Sequence, residues 1–233
     1  MAYVVPPPST VGVPVVGTAD LFPVRRIYCV GRNYAAHARE MGGDPDREPP
    51  FFFAKPSDAI VVAGDAKNPV RIPYPPATKN LHHEMELVVA IGTGGANISL
   101  ERALDHVYGY AAGLDMTRRD LQNAARDKGR PWDMGKGFDQ SAPIGHIYRA
   151  AQIGHPAAGE IKLDVSGKVK QHADLKELIW NVPETIAYLS GLVTLGPGDL
   201  IYTGTPEGVG PVTAGDTLIG TVETCGVVAI AYV

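Results

Sequence analysis

About one residue in five in this chain is glycine or proline: 27 glycines and 20 prolines among 233 residues. Both disfavour helix interiors, so this density fits many short strands joined by tight turns better than a helical bundle. Hydrophobic residues make up 45% and charged residues 20%, a mixture that packs a core and argues against disorder. A chain this long buries roughly 70% of the surface it exposes when unfolded, so folding requires neither a disulfide nor a metal. Cys29 and Cys225 each lie in an apolar run, with no C-x-x-C pair, and are expected as small core residues.

Against 25 acidic residues there are 21 lysines and arginines, a net charge of −4. That balance lacks the basic footprint of a nucleic-acid binder. The start, Met1 to Pro8, has no basic region and carries three consecutive prolines, unlike a signal peptide. The longest apolar stretches, such as Gly226–Val233, fall far short of the ~18 residues of a membrane span. A soluble cytoplasmic protein is the expectation.

Residues 1–24 read as an extended Pro- and Gly-rich arm packed on the body or on a partner, and residues 25–233 as one catalytic domain. Strands are predicted at Arg26–Gly31, Phe51–Ala54, Asp58–Ala63, Glu84–Ile91, Tyr108–Asp115, Glu160–Ser166, Lys168–Gln171, Asp199–Thr203, Thr217–Glu223 and Gly226–Val233. Helices are predicted at Asn33–Met41, Leu100–Val107 (Ser99 as N-cap), Thr117–Lys128 and Pro183–Leu192. The last has Asn181 as N-cap and Glu184 at the capping-box position. Helices are few and do not alternate with strands, which disfavours Rossmann and TIM-barrel layouts. The fold class is α+β, mainly β, a β-roll or distorted barrel with short helices.

Three constellations carry possible chemistry. Glu84 and Glu86 open the most apolar strand, and residues i and i+2 of a strand share a face. Two carboxylates side by side before a buried run require a proton or a cation between them, and a hard divalent ion suits oxygen ligands; the competing reading is a solvated strand start. Asp115, at the end of a near-apolar strand, is either a helix cap or a third ligand completing a facial carboxylate site. His37 and Glu40 stand three residues apart on a short helix, a spacing that lets a carboxylate orient an imidazole base or merely makes a surface pair. Beyond these, Lys136 lies between glycines beside aromatics, and Thr203–Pro211 is a Gly/Thr loop after a strand. Either is a ligand-approach feature or a plain loop. His82, His83, His146 and His155 read as structural.

Taken in order, Gly31–Glu40, Pro49–Val61 (PPFFFAKPSDAIV), His83–Glu86, Gly113–Gln122 (GLDMTRRDLQ), Gly135–Pro143 (GKGFDQSAP) and Thr203–Pro211 resemble the fumarylacetoacetate hydrolase family over nearly the whole chain. The opening LFPVRRIYCVGRNYAAHAREMG and the segment IWNVPETIAYLSGL are similar to its bacterial branch acting on fumarylpyruvate in gentisate-type aromatic degradation.

The resemblance implies a β-roll, a homodimer and a divalent metal, Mg²⁺ or Mn²⁺ with Ca²⁺ also accepted, on Glu84, Glu86 and Asp115. It implies His37 and Glu40 as a water-activating dyad, Lys136 as a catalytic lysine, and Arg119, Gln122 and Thr205 at the substrate's 2-oxo-acid end. The expected reaction is hydrolysis of a carbon–carbon bond in an acylpyruvate, fumarylpyruvate giving fumarate and pyruvate. The alternatives are oxaloacetate decarboxylation or 2-oxo-acid tautomerisation and, from another class, a non-catalytic metal-binding dimer. No nucleic-acid or membrane partner is expected.

Overall fold

The computed structural model describes residues 3–36 and 48–233. Strands run in chain order as β1 Gly12–Pro14, β2 Leu21–Pro23, β3 Arg26–Gly31, β4 Phe51–Lys55, β5 Ile60–Val62, β6 Val70–Ile72, β7 Leu81–His83, β8 Met85–Ile91 and β9 Val107–Leu114. They continue as β10 Thr117–Arg118, β11 Ala142–Ile144, β12 Tyr148–Arg149, β13 Glu160–Val165, β14 Lys168–Asp174, β15 Asp199–Tyr202, β16 Gly210–Val212, β17 Thr217–Val222 and β18 Gly226–Tyr232. The described α-helices are α1 Arg119–Arg126, α2 Asp133–Lys136, α3 Ala150–Ile153 and α4 Val182–Leu192.

A mixed sheet ordered β4-β3-β15-β8-β9-β11-β5 forms the centre, with β12 paired to β9. A five-stranded sheet, β14-β13-β17-β18-β6, packs across it, and a small sheet, β10-β7-β16, sits at one end. The mainly β, curled architecture is the one predicted. The central run Leu87–Ile91 is buried on both faces because successive side chains of a strand point to opposite sides. Leu87, Val89 and Ile91 join Tyr110, Leu114 and Ile201 in a core shared with Leu163, Leu218 and Ile230 of the second sheet. Val88 and Ala90 turn the other way, into a core with Ile27, Cys29, Ile144 and Tyr202.

That second face is closed by the N-terminal segment. Val13, Val15, Phe22 and Val24 of the β1–β2 hairpin are all buried in it. Cys29 and Cys225 are buried free thiols, as expected.

Several boundaries differ from the sequence reading. Ser57–Ala59 is a 3₁₀ turn and only Ile60–Val62 is strand. Leu100–His106 is 3₁₀, and Ser99 makes no side-chain cap bond. Thr117–Arg118 pair with Leu81–His82, so α1 starts at Arg119. Strand pairing takes precedence there over the polar helical pattern. β14 extends to Asp174, past the predicted Gln171. The predicted capping box is present: Asn181 Oδ1 accepts from the Glu184 N–H at 3.0 Å, and Glu184 Oε2 accepts from the Asn181 N–H at 3.1 Å. The helix predicted over Asn33–Met41 lies outside the described residues from His37 onward.

Because Phe22 is part of the core rather than a surface attachment, Phe22→Ala is expected to lower unfolding free energy by about 3 kcal/mol. Urea denaturation followed by circular dichroism checks this; a loss below about 1 kcal/mol would mean that the hairpin docks without supporting the core.

Candidate active site

The carboxylates of Glu84, Glu86 and Asp115 converge, with one oxygen from each lying within 4.8 Å of the others, and all three residues are buried. Strand register brings them together. In the antiparallel β8–β9 pair Met85 faces Leu114 and Glu86 faces Gly113. One step further along, Glu84 and Asp115 therefore oppose each other, and the Asp115 N–H donates to the Glu84 carbonyl at 2.8 Å. Gly113 cannot carry a side chain, since a Cβ there would meet Val88 and Tyr202 at 2.5 and 2.8 Å. Glu84 sits between β7 and β8 rather than inside a strand, so the predicted shared strand face is only half correct; the register of the β8–β9 hairpin supplies the rest. Asp115 does not cap the next helix, whose N-cap is Arg118.

Three cationic side chains surround these acids. Lys136 Nζ donates to Glu84 Oε2 at 2.7 Å and to Asp115 Oδ2 at 2.6 Å. Burial acts to lower its pKa, but the Asp115 and Glu84 charges outweigh this and hold it above the ordinary lysine value. With no cation on these acids, Lys136 is therefore held as an ammonium. Lys136 ends helix α2 rather than lying in a loop. The preceding Gly135 serves packing, not ligand approach, because a Cβ there would meet the Gln122 backbone at 2.9 Å.

Arg119 donates to His82 Nδ1 at 3.3 Å, to Gln122 Oε1 and to Glu84 Oε1. His82 stays neutral, pushed down to about 4 by burial and the Arg119 charge, and so can accept that bond. Burial also lowers the His83 pKa. His146 and His155 take no part in the carboxylate site, and His155 pairs with the Tyr110 hydroxyl at 2.7 Å.

Lys55, which sequence reasoning passed over, lies 2.8 Å from Asp115 Oδ1 and is fully buried. Its hydrogen bonds go to the Met116 carbonyl at 3.1 Å and to the Lys136 carbonyl. Among the described residues, Asp115 Oδ1 accordingly accepts no hydrogen bond despite the nearby charge. A lysine ending the apolar run PFFFA was the available signal.

Gln171 was also missed. Its amide donates to Thr205 Oγ1 at 2.8 Å and to the Pro206 carbonyl at 2.9 Å, and its oxygen accepts from the Met85 N–H at 2.9 Å. Nothing in its strand distinguished it from a surface glutamine.

The Gly/Thr loop after β15 does not present all its N–H groups to an anion, because the Gly204 N–H is already bonded to Glu86 Oε2 at 2.8 Å. Burial raises the Glu86 pKa well above the usual carboxylate range, and the Asp115 and Glu84 charges push it in the same direction. Three buried carboxylates, with an Asp115 oxygen that is ion-paired to Lys55 but accepts no hydrogen bond among the described residues and a Glu86 destabilised as an anion, together form an all-oxygen donor set that fits a hard divalent cation. Above the carboxylates is a cavity lined by Glu84, Glu86, Arg119, Gln122, Lys136 and Thr205, with Phe51, Phe53 and Trp132 as an aromatic wall. His37 and Glu40 lie outside the described residues.

A buried β-roll with a three-carboxylate floor and a lysine across it defines a class, and the comparisons agree with it. The fumarylacetoacetate (FAA) hydrolase C-terminal family model matches residues 26–230. The chain belongs to this family. It is 51% identical over 180 residues to fumarylpyruvate hydrolase of a Ralstonia species, covering 77% of this chain and 91% of that protein. It superimposes with a TM-score of 0.97 and 54% identity on the crystal structure of fumarylpyruvate hydrolase from Pseudomonas aeruginosa in complex with Mn²⁺ and pyruvate, covering 100% of this chain and 99% of the other. It is also 41% identical to a mitochondrial oxaloacetate decarboxylase of Dictyostelium discoideum, over 88% of this chain and 90% of that one.

The Glu86 environment sets a pH dependence. Its raised pKa means that the folded, metal-free protein holds a proton that the unfolded chain has already lost. Metal-free stability is therefore expected to fall as pH rises through the Glu86 value. A cation must displace that proton, so Mn²⁺ affinity should rise over the same range. Calorimetry in two buffers of different ionisation enthalpy should show proton release on Mn²⁺ binding, and Glu86→Gln should abolish that release.

Proposed function

We propose that this chain is a divalent-metal-dependent hydrolase of the carbon–carbon bond in acylpyruvates, converting fumarylpyruvate to fumarate and pyruvate. The observation that carries the reading is the convergence of Glu84, Glu86 and Asp115 with Lys136 and Arg119, all but the fully buried Asp115 lining one cavity. Full-length similarity to an enzyme whose structure holds Mn²⁺ and pyruvate supports it.

Glu84, Glu86 and Asp115 are the proposed metal ligands. The ion, when bound, supplies Lewis-acid polarisation and a fixed positive charge at the 2-oxo-acid end of the substrate. Three N–H groups of Arg119 are engaged by His82, Gln122 and Glu84. A guanidinium has five, and the remainder can hold the substrate carboxylate. Gln122 uses its oxygen on Arg119 and keeps its amide N–H groups for the same task. Thr205 Oγ1 already accepts from Gln171, which leaves its hydroxyl proton for a substrate oxygen.

His37, oriented by Glu40, is the proposed base. It takes a proton from water, and the water oxygen bonds to the distal carbonyl carbon. The bond from that carbon to the pyruvyl methylene then breaks. Its electron pair moves to the 2-oxo oxygen as the pyruvate enolate, and a proton returned to the methylene carbon completes pyruvate. The Lys136 ammonium then stabilises the developing negative charge.

Oxaloacetate decarboxylation, the activity named for the Dictyostelium relative, needs no attacking water and provides the discriminating comparison. His37→Ala is expected to lower acylpyruvate hydrolysis by about 10²–10⁴-fold, Glu40→Gln by less, and neither to change metal affinity. Any decarboxylation should survive His37→Ala far better. Glu84→Gln and Asp115→Asn should abolish hydrolysis and weaken Mn²⁺ binding. Loss of enol absorbance with product identification reads all four variants; equal loss of both activities in His37→Ala would remove the water-activating role.

The same proposal carries a homodimer, a cytoplasmic location and Mg²⁺ as the cellular ion. No helix among the described residues is long and apolar enough to cross a membrane. Tyr3, Val4 and Val5 are exposed and offer an apolar arm to a partner. Sedimentation at micromolar concentration is expected to give about twice the 24.7 kDa chain mass; a monomer alone would count against it.

A further inference from the structure

One face of α1 lines the cavity. Arg119, Gln122 and Arg126 are spaced i, i+3 and i+7, so they stack on one side of the helix, and all three line the cavity. Arg119 and Gln122 are buried beside the carboxylates, whereas Arg126 is exposed, its side chain 41% accessible. Seven residues of helix separate the two arginines by about 10 Å along the axis. That separation is comparable to the length of an extended acylpyruvate carrying a carboxylate at its far end.

Arg126 has little else to do. Its ion pair is with the adjacent Asp127 at 3.5 Å, between exposed side chains, a contact that contributes little and is easily given up. Arg32 also lines the cavity. Its backbone sits at φ 55°, a left-handed conformation uncommon for arginine, and it makes no hydrogen bond or ion pair among the described residues. Phe51 and Trp132, in edge contact at 5.3 Å, form part of the same wall. An apolar wall strengthens a guanidinium–carboxylate pair by keeping water from it. Among the described lining residues, Arg32 and Arg126 thus add cations beyond Arg119 and Lys136, while the acids are Glu84 and Glu86 of the floor.

We propose that Arg126, together with Arg32, forms a subsite for a second carboxylate at the distal end of the substrate, selecting acylpyruvates whose acyl group ends in a carboxylate over those ending in a methyl group. This rests on the acylpyruvate reading above and names the substrate class that the same site prefers.

The test compares fumarylpyruvate with acetylpyruvate, which lacks the distal carboxylate. Arg126→Met should lower kcat/KM for fumarylpyruvate by about 10- to 100-fold, the loss of one charged hydrogen-bonding partner. The change should fall mainly on KM, because the contact is equal in the ground and transition states. Acetylpyruvate turnover should stay within about twofold of wild type, and Arg126→Lys should recover part of the loss, since it keeps the charge but not the fork. Equal effects on both substrates, or none on fumarylpyruvate, would overturn the subsite. Should wild type turn over neither acylpyruvate, the hydrolase reading fails on its own. Calorimetric titration with fumarate then reads the subsite directly: at least tenfold weaker binding to Arg126→Met upholds it, and equal or undetectable binding in both proteins overturns it.

Discussion

Three carboxylates buried within 4.8 Å of one another set the terms for the rest of this structure. Uncompensated, such a cluster takes up protons or opens to water, because charge burial without partners costs several kcal/mol per ion. The fold supplies compensation from separate segments: Lys55 from the end of β4, Arg119 from the start of α1 and Lys136 from the end of α2. The compensation is uneven. Glu84 and Asp115 are paired to cations, while the described contact of Glu86 is to a backbone N–H, and its proton is correspondingly hard to remove. That imbalance, in an all-oxygen donor set, fits the cluster to a hard divalent cation.

Keeping the cluster dry requires both faces of the central sheet to be covered. The second sheet closes one face through Leu163, Leu218 and Ile230. The other is closed by the N-terminal hairpin, whose valines and Phe22 join Cys29 and Tyr202. Cys29 is close enough to the site for Asp115 and Glu86 to add to the effect of burial in raising its thiol pKa, so this face of the core and the site are continuous. A segment rich in proline can do this because short edge strands tolerate proline, as Pro14 and Pro23 do at the ends of β1 and β2.

Gln171 links the second sheet to the chemistry. From β14 it holds the Met85 N–H at the start of β8 and the Thr205–Pro206 loop after β15. Its oxygen also meets His83 Nδ1 at 3.1 Å. A buried amide with both ends engaged fixes the spacing between the strand carrying Glu86 and the loop carrying Thr205. The cavity floor is thereby tied to the second sheet, and the proposed distal subsite lies away from it, along the exposed end of α1.

Much was legible in the sequence. The density of glycine and proline dictated a β-rich fold, because both residues penalise helix interiors regardless of context. The continuous apolar run Leu87–Ile91 announced a buried strand, and the structure covers both of its faces. Asn181 and Glu184 marked a helix start whose capping box forms as written, because such bonds close within a few residues. The acids and the lysine were nameable through the resemblance of their motifs. What tertiary structure alone decided was which distant groups meet. Antiparallel register set Glu84 against Asp115, and the end of β4 delivered Lys55 to the same carboxylate. Gln171 and Arg126 acquired their places only through packing, because an isolated glutamine or arginine in a polar stretch looks the same whether it faces water or a site. Local bonds are written in local residues; contacts between segments depend on register and packing, which no single segment encodes.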